Sequence, residues 1–123
     1  MNENKDIITL ETAVLAKEKG FQEEELHYYF NGELLQHPNR LYYNYNQDNP
    51  PIGQFSAPYQ SFLQKWLREW HKLHITIYSK SQESWMFRVT KPGQLLEEGI
   101  YGEDYEDYED ALEDALQEAL KLI

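Results

Sequence analysis

Cysteine is missing altogether from the 123 residues. That excludes disulfides, zinc-thiolate centres and thiol nucleophiles, and it argues against a small secreted scaffold. No apolar run approaches the roughly 18 residues of a membrane span, and Met1–Asp6 is polar with no apolar signal segment behind it. A soluble, cytoplasmic protein is therefore expected. Positive charge is scarce as well: 11 Lys and Arg stand against 22 Asp and Glu, for a net −11. What is plentiful is apolar and aromatic material, 41% and 15% of the chain, enough at this length for one domain with one core. No repeat with a period of 20 to 50 residues is visible.

The charge is unevenly placed. Residues 1–55 carry 4 basic and 9 acidic side chains, residues 56–96 carry 6 and 2, and residues 97–123 carry 1 and 11. A basic, aromatic-rich centre thus lies between acidic ends.

A first helix is predicted from Ile8–Thr12 to Lys19, with Thr9 as its N-cap, Glu11 at the positive end of the dipole and Gly20-Phe21 as a Schellman stop. The stretch before it, residues 1–7, is expected to be flexible. Leu26–Phe30 and Glu33–Gln36 flank Asn31-Gly32, the pair that suits a type I′ turn, so a hairpin is expected there. Residues 37–55 hold three of the five prolines and the cluster Tyr42-Tyr43-Asn44-Tyr45 without clean alternation. They read as a long loop with a short strand at Leu41–Tyr45, and a loop of that length is itself a functional flag.

A second helix is predicted over Ala57–Leu73, with Ser56 as cap and Pro58 in the first turn. Tyr59, Phe62, Leu63, Trp66, Leu67, Trp70 and Leu73 fall within an arc of about 140°. Lys65, Arg68 and Lys72 make a basic stripe opposite them. His74–Ser79 and Trp85–Thr90 alternate as half-buried strands joined by a short polar connection, with Pro92-Gly93 ending the second. Leu95–Tyr101 is ambiguous. A third helix opens at Asp107, with Asp110 in a capping-box position, and runs to the C-terminus. Its apolar half is Tyr108, Ala111, Leu112, Ala115, Leu116, Ala119, Leu120, Leu122 and Ile123, and Glu113, Asp114, Gln117 and Glu118 cover the rest. The order gives an α+β fold, a single domain with an antiparallel sheet of two hairpins packed against three helices. Phe62, Trp66, Trp70, Trp85, Phe87, Leu112 and Leu116 are the expected core.

Three blocks carry a family resemblance. They are Ile8–Ala13 with Leu15–Phe21, Ser56-Ala57-Pro58 with Leu63–Glu69, and Ala111–Leu122. Together they resemble a family of small hypothetical proteins of phages and prophages from gut anaerobes. The likeness covers both ends and the central helix, while the Tyr-rich loop and the second hairpin look like the variable parts. It implies a genomic setting and no catalytic residue. The acids of Glu103–Asp110 are denser than the family pattern.

Chemistry-bearing motifs are few. The Glu-Asp-Tyr rhythm of Glu103–Asp110 can attract a hard cation but lacks the EF-hand pattern, and its second half suits a helix N-terminus in any case. His71 and His74 are spaced for one helix face, with no second pair of ligands in register, so no metal and no cofactor are expected. There is no G-x-S-x-G elbow and no phosphate-binding Gly-rich loop, so an enzyme is not expected. Lys65, Arg68 and Lys72, with Lys80, Arg88 and Lys91 near them in sequence, can track a nucleic-acid backbone, and Tyr42, Tyr43 and Tyr45 can stack on bases. The −10 tail repels phosphate unless it lies on the opposite face, and the plainer account is that acids of the third helix pair with bases of the second. The acidic helix can also be read as a nucleic-acid mimic, though its charge density is that of a single strand.

The reading is therefore a small non-enzymatic interaction protein of phage or prophage origin that binds a host or phage protein, in the host cytoplasm and as a monomer or weak homo-oligomer. The alternative is a nucleic-acid-directed accessory protein. The candidate surface comprises Tyr42, Tyr43 and Tyr45 with Lys65, Arg68 and Lys72. Exposed tyrosines are what interfaces favour, although the same three can instead lie buried over the outer face of the sheet.

Overall fold

The computed structural model describes residues 5–47 and 53–123. The fold is α+β, with three α-helices and two three-stranded antiparallel sheets. The two hairpins do not merge into one sheet. Each acquires its own third strand, and the chain divides into two compact units, Ile7–Tyr59 and Gln60–Ile123 with Lys5 and Asp6.

In the first unit, α1 spans Leu10–Glu18, with the Thr9 side chain accepting from the Thr12 N–H. Its exit is a Schellman motif: Gly20 sits at φ 93°, its N–H reaches Lys17 O, and the Phe21 N–H reaches Ala16 O at 3.0 Å. The Phe21 ring is fully buried by this turn. Strands β1 (His27–Phe30) and β2 (Glu33–Gln36) pair through Asn31 and Gly32, both at positive φ as a type I′ turn requires. Strand β3 (Gln54–Ser56) lies inside the stretch expected to be loop and pairs with the other side of β1. It is three residues long, too short to show alternation in the sequence. Lys17 of α1 ties to it by donating to Gln54 O and lying over the Phe55 ring. The part of the expected flexible lead within residues 5–7 is also held: Ile7 is buried and bridges Tyr59. The remainder, residues 1–4, lies outside the described residues.

In the second unit, α2 spans Gln60–His71, not Ala57–Leu73. Ser56 cannot cap it, because its backbone belongs to β3 and its Oγ accepts the Tyr45 N–H. Ala57 precedes Pro58, which disfavours helical backbone there, and the Gln60 N–H donates to Asp6 O at 2.7 Å. At the other end Lys72 adopts φ 58° and stops the helix. Strands β4 (His74–Ser81) and β5 (Ser84–Thr90) form a hairpin, and β6 (Ile100–Tyr105) completes the sheet in the order β4-β5-β6. A 3-10 turn at Leu96–Glu98 leads into β6, so the ambiguous stretch is a turn followed by a strand.

Helix α3 spans Tyr108–Leu120, and the Asp107 carboxylate caps it by accepting from the Asp110 N–H at 2.8 Å. It packs on the sheet face that carries Ile75, Phe87 and Val89, all buried. On this face Phe87 stands opposite Gly102, where an added Cβ would lie 2.1 Å from the ring carbon Cε2. The ring takes the space a side chain would need, which explains a glycine inside a strand. Tyr105 beside it donates to Asp114 of α3 at 2.8 Å. The α3 face expected to be solvated is broken by Glu113, which is buried and accepts from the Gln60 amide at 2.9 Å.

The expected core needs correction on α2. Leu63, Trp66 and Leu67 are buried, but Trp70 is 68% exposed and Phe62 and Tyr59 are exposed too. Trp85 is half-buried against the Tyr108 ring. Among the described residues, no helix is long and apolar enough to cross a membrane.

Candidate interaction site

Two asparagines build the tyrosine loop. Asn44-Tyr45-Asn46 forms a turn in which the Gln47 N–H reaches Asn44 O, and both asparagines are buried. The Asn46 amide donates to Phe21 O at 2.8 Å, and its Oδ1 accepts the Ser56 N–H at 2.9 Å. The Asn44 amide donates to Gln22 O and Gln22 Oε1, its Oδ1 accepts the Asn46 N–H, and the Gln22 amide donates back to Asn46 O. The loop is therefore stitched to the end of α1 and to β3. Every bond is made by a side chain to backbone or amide, which is how a segment without a ladder satisfies its buried polar groups.

No strand forms at Leu41–Tyr45. A single bridge joins Tyr43 to Glu25, with reciprocal backbone bonds of 2.9 and 3.0 Å. Tyr45 is 6% exposed and stacks on Tyr28 at 4.0 Å, with Tyr43 edge-on to it at 5.2 Å. Burial, together with the neighbouring Tyr28 and Tyr43 hydroxyls, pushes the Tyr45 phenol up. Tyr45 thus belongs to the interior and leaves the candidate surface. Leu41, Tyr42 and Tyr43, by contrast, are 58%, 64% and 46% exposed. Residues 48–52 of the predicted loop lie outside the described residues.

Glu25 is the group the sequence did not single out. It is 7% exposed, and its Oε1 has no hydrogen-bond partner. Burial first, and Glu23 second, push its carboxyl up to about 8. The sequence offers three consecutive glutamates ahead of a strand and nothing that marks which of them is buried.

The basic stripe is only partly a stripe. Lys65 and Arg68 are exposed on α2, whereas Lys72 lies past its end, with its ammonium donating to Glu69 O at 3.2 Å. Among the described residues, no ion pair links α2 to α3. The acids of 103–110 are held instead by lysines from elsewhere in the second unit: Lys80 pairs with Glu103 at 3.2 Å and Asp104 at 3.8 Å, and Lys5 with Asp107 and Asp110. The run itself is split, Glu103–Tyr105 ending β6 and Tyr108–Asp110 opening α3. Among the described residues no three His, Asp or Glu side chains gather as a metal site. His71 packs edge-on against Trp66. What the loop presents is an ordered apolar and aromatic tip.

Comparison with family models, with curated proteins and with solved structures finds no match for this chain.

Proposed function

We propose that this chain is a non-enzymatic protein-interaction module whose docking element is Leu41-Tyr42-Tyr43. One observation carries the reading: three consecutive large apolar side chains stand in solvent on a segment whose next residues are locked by the buried Asn44 and Asn46 bonds. A side chain shown on a fixed backbone loses little entropy on binding, and tyrosine supplies large contact area with few rotatable bonds. The partner is a protein with an apolar pocket rimmed by hydrogen-bond acceptors for the phenols. A host or phage protein fits the resemblance drawn above.

The test is crosslinking capture with wild type and with a Leu41→Ser, Tyr42→Ser, Tyr43→Ser variant. The variant is expected to stay folded, with only the edge contact of Tyr43 on Tyr45 lost from the interior, and to lose a specific partner. Retained capture of the same partner by the folded variant sinks the reading.

A further inference from the structure

The tip Leu41-Tyr42-Tyr43 is fastened at one place. On one side of it is a turn, in which the Arg40 N–H reaches His37 O and Arg40 stands at φ 53°. On the other is Asn44, bonded to Gln22. Between the two, the backbone hydrogen bonds among the described residues are the reciprocal pair that joins Tyr43 to Glu25.

Behind this link sits a carboxyl with no counter-ion. Glu25 is 7% exposed, and its Oε1 has no hydrogen-bond partner. Residues directly opposite in an antiparallel pair project to the same side, so the Glu25 and Tyr43 side chains share one side of the bridge. The titratable groups around Glu25 are occupied elsewhere or repel it. Glu23, in its own segment, opposes the charged form. On β1, His27 packs edge-on against Tyr59 and Tyr28 stacks on Tyr45. Beyond β2, His37 Nδ1 accepts the Asn39 N–H. Among the described residues no Lys, Arg or His forms an ion pair with Glu25. A buried carboxylate in that position is costly, and water is what can solvate it. Breaking the two bonds to Tyr43 admits water with the least loss of structure. Asn44 and Asn46 keep their bonds to Gln22, Phe21 and Ser56, and β1, β2 and β3 keep their ladders.

We infer that the Glu25–Tyr43 bridge is a proton-operated latch on the tip: it is shut while Glu25 is protonated and opens when Glu25 ionises, with the sheet and the asparagine bonds left in place. The shut form holds the proton up to about 8, against an ordinary value of 4.5. Closure is therefore at full strength below the ordinary value. Between the two values the ratio of open to shut rises by up to about tenfold per pH unit, and above them it levels off. A tip on an open segment loses the pre-organisation that favours docking, so docking weakens as pH rises. That last step rests on the docking role proposed above, whereas the latch itself does not.

The experiment is native-state amide hydrogen exchange, read by NMR on the full chain from mildly acidic to mildly alkaline pH, with and without low urea. Rates are taken relative to an unstructured amide, which divides out the hydroxide dependence of exchange. Protection of the Tyr43 and Glu25 amides is expected to fall by up to about tenfold per pH unit and to be insensitive to urea, because a local opening exposes little surface. The Ser56 amide, bonded to Asn46 Oδ1, is expected to stay more protected at every pH and to respond to urea. Glu25→Gln, neutral throughout, is expected to abolish the pH dependence at Tyr43; should that variant fail to fold, the wild-type pH and urea profiles decide alone. Tyr43 protection that ignores pH, that falls in step with Ser56 under both pH and urea, or that keeps its pH dependence in Glu25→Gln overturns the latch. Exchange is read on the chain by itself, so failure of the latch and failure of partner capture by the tip are separate results.

Discussion

Glu25 keeps a carboxyl where water barely reaches, with one oxygen unpartnered, and its proton holds on up to about pH 8 against an ordinary value of 4.5. Below the ordinary value the group is neutral in folded and unfolded chains alike and costs nothing. As pH rises, the unfolded chain releases the proton first, so stability falls with pH until the folded carboxyl ionises too, and is flat beyond. Glu25→Gln, neutral throughout, removes that slope and is expected to stabilise the protein by about 2–4 kcal/mol near neutrality. Urea unfolding of both chains across the acid to mildly alkaline range checks this, and parallel pH dependence of the two would refute it. Nothing in the composition distinguishes Glu25 from Glu23 and Glu24. Its burial follows from the bridge to Tyr43, a contact between residues 18 positions apart, which no local pattern encodes.

Helix α2 separates direction from burial. Trp66 and Trp70 are one turn apart on nearly the same side, yet they are 7% and 68% exposed. Trp66→Ala is expected to cost about 3–5 kcal/mol, and Trp70→Ala to change stability by less than about 1 kcal/mol. Thermal melts of the two variants distinguish them, and equal losses would mean that Trp70 is packed. Periodicity fixes which way a side chain leaves its helix, and so the apolar arc was legible. What stands opposite the last turn is set by the rest of the chain. The same limit explains the missing strands. Thr9, Gly20, Asn31-Gly32 and Asp107 act within a few residues of themselves, and each is found doing what its type and position imply. Strand β6 contains a glycine and two acids, poor strand formers, and is held by pairing with β5 and by the Phe87 ring over Gly102. The tyrosine loop was legible as a place of interest, but its division into displayed Tyr42 and Tyr43 and interior Tyr45 depends on Tyr28, in another strand.

At the level of the whole molecule, the three helices, the antiparallel pairing and the acidic last third follow from composition and pattern, whereas the existence of two sheets does not. The joint between the units has a plain consequence. Asp6 O and Gln60 N are hydrogen-bonded within one unit, and Ile7 and Tyr59 form a bridge within the other. The polypeptide leaves the helix-and-sheet unit and returns to it at the same spot, so Ile7–Tyr59 is a cassette with adjoining ends. Closing such a gap with a few glycines costs little chain entropy. A shortened chain joining Asp6 to Gln60 is expected to keep α2, α3 and the β4-β5-β6 sheet, with a cooperative melt and strand signal by circular dichroism; a chain that does neither shows that the cassette is needed for folding. If the sheet survives, the tyrosine-bearing cassette is exchangeable, and chains that share this sheet can differ wholly in what they display between those two residues.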